Sequence, residues 1–254
     1  MIHHSGASHA GPSLSIADIL AVAYCTLEGL HPSLMSSPER TRFILSKGHA
    51  AAAFYATLRE FGFFVDDDLE VNFGKAGSEY MTHASSRIPG VEVSTGSLGH
   101  GLPIGVGMAL SIPPSRRRRH DVVVLVGDGE LQEGTTWESL LIASHFDLCN
   151  LTLVVDRNQM QSLTTTEKTI SLEPLREKMQ SLGLDVIEVN GHDLAALTNA
   201  FASREALSQR PLVVIASTVK GKGVSFMENA IEWHYKTPNA QQLQNALEEV
   251  SRDS

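Results

Sequence analysis

An aspartate between two glycines, at the end of an apolar run, is the first place in this sequence where chemistry could sit. In "VVVLVGDGELQEGTTWES", residues 122–139, five apolar residues lead into Gly127, Asp128, Gly129 and Glu130. Thirty positions after Asp128, Asn158 follows a second β-branched run in "LTLVVDRNQMQS". A carboxylate and an amide oxygen side by side suit a hard cation such as Mg²⁺. That ion takes an octahedral shell of oxygens and usually shares it with phosphate. Gly127 and Gly129 let a diphosphate approach the backbone, and the start of a following helix would offer free N–H groups. Gly-Asp-Gly alone marks only a tight turn; Asn158 at matching spacing makes it a candidate site.

Both residues need elements that bring them together. Short β-branched runs predict strands at Val122–Val126, Leu151–Asp156, residues 185–191 and residues 211–219. Helical spacing lies between and around them. "SLSIADILAVAYCTL" (Ser13–Leu27) reads as a helix behind a Ser cap, and "GHAAAAFYATLREFG" as a helix ending at Gly62. "GSLGHGLPIGVGMALS" is a Gly-rich entry to a closely packed helix. Residues 135–146, 172–183, 193–208 and 239–250 complete the helical set. From about Asp121 onward strands and helices alternate. This predicts an α/β fold with a mostly parallel sheet and helices on both faces. No repeat or linker divides residues 1–254, so one domain is expected. In such sheets ligands sit at the carboxyl ends of strands, which is where Asp128 and Asn158 fall.

Bulk properties narrow the function classes. A net charge of −9 argues against nucleic acid as a partner. Two cysteines, Cys25 and Cys149, argue against a disulfide framework and fit a reducing compartment. No apolar run reaches the roughly 18 residues of a membrane span. The start, "MIHHSGASHAG", lacks the pattern of a secretory signal. A cytoplasmic protein is expected. The one basic cluster, Arg116–His120, reads as a solvated turn.

"GDGELQEG" with "DRNQMQ" resembles the thiamine diphosphate motif of the transketolase family. The resemblance implies the thiamine diphosphate-binding fold. It implies a divalent metal (Mg²⁺, or Ca²⁺ or Mn²⁺) held by Asp128, Asn158 and the backbone carbonyl of Met160. It also implies a diphosphate against Gly127, the N–H of Gly129 and Glu130. Further segments extend it over almost the whole chain. "SHAGPSLSIADIL" gives His9, and "LSKGHAAAAFYA" gives His49. "THASSRIPGVEVSTGSLGHG" gives His83 and a cofactor loop at Gly96, Ser97 and Leu98, and "VKGKGVSFMENAIEWHY" gives His234. By resemblance His9, His83 and His234 line the substrate channel, where neutral imidazoles suit proton traffic near neutral pH. His49 and His234 touch the diphosphate. Glu133 resembles an acid at the family's dimer interface; as a plain residue it is an acid favoured at a helix start. "VKGKG" is not a Walker motif, because its glycine spacing is wrong. It reads as a loop that places His234.

The sequence departs from the family pattern at Ala10, Ala84, Ser85, His100 and Arg157. The changes around His83 and His100 bear on substrate preference more than on the cofactor. Family members carry three domains, and the resemblance covers only the first. The pyrimidine-binding and C-terminal domains are therefore expected on a separate chain. The implied function is the amino-terminal subunit of a split transketolase, moving a two-carbon unit from a ketose to an aldose, assembled as α2β2. The competing readings are the α subunit of a 2-oxo acid dehydrogenase, which would not carry these four histidines, and a non-catalytic scaffold. A 1-deoxyxylulose-phosphate synthase is a longer relative.

Overall fold

The computed structural model describes residues 1–66, 68–204 and 209–252. Among them five strands form one sheet: β1 (Arg42–Leu45), β2 (Val122–Gly127), β3 (Leu151–Arg157), β4 (Asp185–Asn190) and β5 (Leu212–Ser217). Their order is β1-β2-β3-β5-β4, and every neighbouring pair is parallel. The sequence reading missed β1. Its four residues, "RFIL", are too short to show a period, and only pairing with β2 defines them as a strand.

The α-helices longer than four residues are α1 (Ala10–Leu14), α2 (Ala17–Thr26), α3 (Ala51–Glu60), α4 (Gly101–Leu110), α5 (Gly134–His145), α6 (Leu175–Ser181), α7 (Leu194–Ser203) and α8 (Ala240–Arg252). The stretch predicted as one helix over Ser13–Leu27 is two. No side chain caps α2, and Ser15 instead donates to Asp156. The end expected at Gly62 holds, with Gly62 at φ 77° past the last turn of α3. Residues 205–208, read as the end of a helix, lie outside the described residues.

Two apolar cores, one on each face, explain the layers. Phe43, Leu45, Val123, Leu125, Val154 and Val214 face one core, shared with α2, α3 and α7. Ile44, Val122, Val124, Leu153, Val155 and Ile215 face the other, shared with α4, α5 and α6. Alternation along each strand sends successive side chains to opposite faces, and both faces are covered, so both sets are apolar. The β2–β3 register sets Gly127 opposite Asp156. Asp128 and the pair Arg157–Asn158 therefore leave the sheet side by side, as the strand-helix-strand pattern requires.

The basic cluster is only partly a solvated turn. Arg116 is exposed against Glu39, but Arg117 is buried, and its Nη1 donates to the carbonyls of Phe146 (2.6 Å) and Asp147 (3.2 Å). The side chains of Arg118 and Arg119 lie outside the described residues. Among the described residues no helix is long and apolar enough to cross a membrane.

Candidate active site

β1, β2, β3 and β5 end together at a cavity of about 420 Å³, and part of its lining comes from their tips. Lys47 follows β1; Gly127, Asp128, Gly129 and Glu130 end β2; Asn158 and Met160 follow β3; Lys220 follows β5. His9 arrives from the turn before α1, His49 from the turn before α3, His83 from a long loop, and His234 from a 3₁₀ turn near the end of the chain. Residues 225 positions apart thus share one space. The His9 N–H donates to the His234 carbonyl at 2.9 Å and closes that wall. His9 takes a left-handed backbone conformation, φ 75°, and so does Gln159, φ 64°. Such strain in non-glycine residues gathers at functional sites.

The four histidines form one cluster. Ring centroids lie 5.1 Å apart for His9–His49, 5.7 Å for His9–His83, 5.2 Å for His9–His234 and 5.5 Å for His49–His234. Burial, then neighbouring His83 and the Lys220 and Lys47 ammonium groups, lowers His9 to about 4. Burial followed by Lys220 lowers His234 to about 3. Burial and Lys47 hold His49 well below its ordinary value, and burial lowers His83. Near neutral pH all four are uncharged imidazoles, able to accept or relay a proton.

Asp128 is buried at the cavity floor. Its Oδ2 accepts from the Gln159 N–H (2.5 Å) and from Arg157 Nη1 (3.1 Å). Burial, reinforced by nearby Asp156, raises its carboxyl to about 6. Asn158 accepts from the Met160 N–H at 3.0 Å and donates to Asp156 at 2.9 Å. Asp156 is fully buried, and Lys47 neutralises it. Burial pushes its carboxyl up, but the Lys47 charge, with hydrogen bonds from Lys47, Thr218 and Ser15, outweighs that and lowers it. Glu130 accepts from Ser46 and from the Gly99 N–H, tying the Gly-rich loop to the motif; burial raises its carboxyl. Among the described residues no three His, Cys, Asp or Glu side chains form a metal cluster.

The donor chemistry nevertheless fits a cation shared with a diphosphate. Asp128 is a desolvated carboxylate, with an amide and a carbonyl beside it. A Cβ on Gly127 would meet no protein atom nearer than Lys47 at 3.9 Å, so it would fill cavity space a ligand could use.

Residues 1–250 match the family described as "Transketolase, thiamine diphosphate binding domain". The chain belongs to the transketolase family. It is 37% identical over 251 residues to one of the named subunits of the apulose-4-phosphate transketolase of Phocaeicola vulgatus, covering 99% of this chain and 89% of that protein. It is 32% identical over 249 residues to "6-deoxy-6-sulfo-D-fructose transketolase subunit SqwG" of a Clostridium species, covering 98% and 90%. The fold matches the transketolase of Leishmania mexicana with a TM-score of 0.91 and 28% identity, over 98% of this chain and 39% of that one. The chain thus spans about two fifths of that solved transketolase and nine tenths of the two subunit relatives.

Among the residues that the transketolase resemblance singles out, His9, His49, His83, His234, Gly96, Leu98, Gly127, Asp128, Gly129, Glu130, Glu133, Asn158 and Met160 all line the cavity. Ser97 does not; it is exposed beside it. Glu133 stands at the rim, exposed. The helix expected over 135–146 is present, beginning one residue earlier. A 3₁₀ segment, Asp128–Gln132, lies between β2 and α5, which starts at Gly134.

Of the departures, His100 is exposed and bonds the Leu98 carbonyl, while Ala10, Ala84 and Ser85 are buried behind the walls. Only Arg157 reaches a proposed ligand. Sequence reading missed two lysines. Lys47 lies inside the quoted "LSKGH" and Lys220 inside "VKGKG"; both are 1% exposed and line the cavity. Lys220 Nζ reaches His234 Nδ1 (2.8 Å) and the Gln161 carbonyl (3.0 Å). The signal was their place next to histidine-bearing segments. Its force shows only when both ammonium groups reach one cavity.

Proposed function

We propose that this chain is the amino-terminal, diphosphate-binding subunit of a split transketolase, made of one domain over residues 1–254. It moves a two-carbon ketol unit from a ketose to an aldose, as sugars or sugar phosphates. The observation that carries this reading is that relatives of nearly the same length are themselves named transketolase subunits. In this reading Asp128, Asn158 and the Met160 carbonyl hold Mg²⁺, and Gly129, His49, His234 and Lys220 face the diphosphate. Thiamine diphosphate, when bound, supplies the carbon nucleophile that carries the two-carbon unit. His9, His83 and His234, uncharged near neutral pH, take the proton from the sugar hydroxyl beside the bond that breaks and return one to the acceptor. Glu133, exposed at the rim, meets the second subunit. That partner brings the pyrimidine-binding and C-terminal domains, and two copies of each chain assemble in the cytoplasm.

The test is two-carbon transfer with Mg²⁺ and thiamine diphosphate, first with this chain alone, then with its companion subunit. Activity only in the mixture, lost in Asp128→Ala, is the expected outcome. Full activity from this chain alone would remove the split-enzyme reading. A mixture that neither binds cofactor nor reacts would leave a scaffold role instead.

A further inference from the structure

Arg157 has no task in the function proposed above, yet it is one of the most connected side chains in the site. Its side chain is 5% exposed. Nη1 donates to Asp128 Oδ2 (3.1 Å) and Thr166 Oγ1 (2.8 Å), and Nη2 to Glu167 (2.9 Å) and Glu173 (2.8 Å). The two glutamates have side chains 34% and 58% exposed, so solvent screens their charge. Asp128 is buried against the same guanidinium, with a side chain 2% exposed.

The consequence is a shortage of negative charge where a metal is expected. Asp128 is the one carboxylate in the expected ligand set; Asn158 and the Met160 carbonyl are neutral. One oxygen of that carboxylate is already committed to a guanidinium and a backbone N–H. Of the other buried carboxylates, Asp156 is paired with Lys47, and Glu130 is turned toward the Ser46 hydroxyl and the Gly99 N–H and is absent from the expected ligand set. A dication arriving alone would share a single negative charge with an arginine, inside a site where charges are weakly screened. A diphosphate supplies the missing negative charge.

We infer that Arg157 makes metal binding conditional on the diphosphate, so that the two enter as a pair and the metal alone is held weakly. The inference rests on the cofactor reading above. It assigns Arg157 a positioning and charge role at Asp128, without contact to the metal.

The test is Mn²⁺ binding, followed by electron paramagnetic resonance, to the full chain with its companion subunit, with and without thiamine diphosphate. The wild type should bind Mn²⁺ well only with thiamine diphosphate. Arg157→Met should bind Mn²⁺ alone at least about tenfold more tightly, as expected for removing a unit positive charge a few ångströms away. Arg157→Lys, which keeps the charge but loses the fork, should stay near the wild type. If Arg157→Met binds Mn²⁺ alone no better than the wild type while still binding it with thiamine diphosphate, the inference falls and the cofactor site stands. If the wild type binds no Mn²⁺ even with thiamine diphosphate, or if Asp128→Asn leaves that binding unchanged, the cofactor reading falls and takes the inference with it.

Discussion

The four cavity histidines behave as they do because of what surrounds them. Each alone is an ordinary imidazole; enclosed together, with Lys47 and Lys220 nearby, they resist protonation. The unfolded chain binds those protons at the ordinary value near 6.5, whereas His9 and His234 in the folded chain do so only near 4 and 3. Below about pH 6.5 the unfolded state therefore takes up more protons, and the histidines' effect is a loss of stability as pH falls toward 4. Urea midpoints measured from pH 7 to pH 4.5 should drop, and the drop should be shallower in His9→Phe; an equal slope would show that His9 is not the group involved. Lys47 makes a second prediction. Its ammonium and the Asp156 carboxylate are both withdrawn from water, with side chains 2% and 0% exposed. Removing one partner of such a pair leaves a bare buried charge, at about 3–5 kcal/mol. Lys47→Met should cost stability of that order in chemical unfolding, more than its mere surface contact would explain.

The elements hold the site through close approaches. α4 lies against β2 at Gly105, where a Cβ would come within 2.5 Å of Val124 Cγ2. Alanine would raise helix propensity by about 1 kcal/mol, but overpacking a buried sheet face costs about 1–3 kcal/mol. Gly105→Ala should therefore be neutral to destabilising in urea, in contrast with a solvent-facing Gly→Ala change such as Gly107→Ala, where nothing lies within 4 Å. The predicted strands 122–126, 151–156 and 211–219 were legible because buried strands read as continuous β-branched runs, and 185–191, an edge strand that is only partly buried, was legible by its alternation. β1 was not, because four residues carry no period and their strand identity comes from β2. The break between α1 and α2 was also hidden. The apolar spacing continues across it, while Ser15 turns inward to Asp156 instead of capping a helix.

For the whole molecule, the proposed assembly turns on which surfaces meet the second subunit. Glu133 is exposed at the rim, and the amphipathic helix α8 leaves Leu247 and Val250 exposed. Native mass spectrometry of this chain mixed with its companion should show two copies of each; a lone monomer under conditions where the mixture is active would exclude the proposed assembly.

The α/β class and the two strand tips that carry Asp128 and Asn158 were readable along the chain, because strand runs are local; the four histidines were marked only by the resemblance to the transketolase family. The site's charges were not readable. Lys47, Lys220 and Arg157 become part of it only when the ends of β1, β3 and β5 converge. A charge then meets partners far away in the chain, and no local pattern can state which ones.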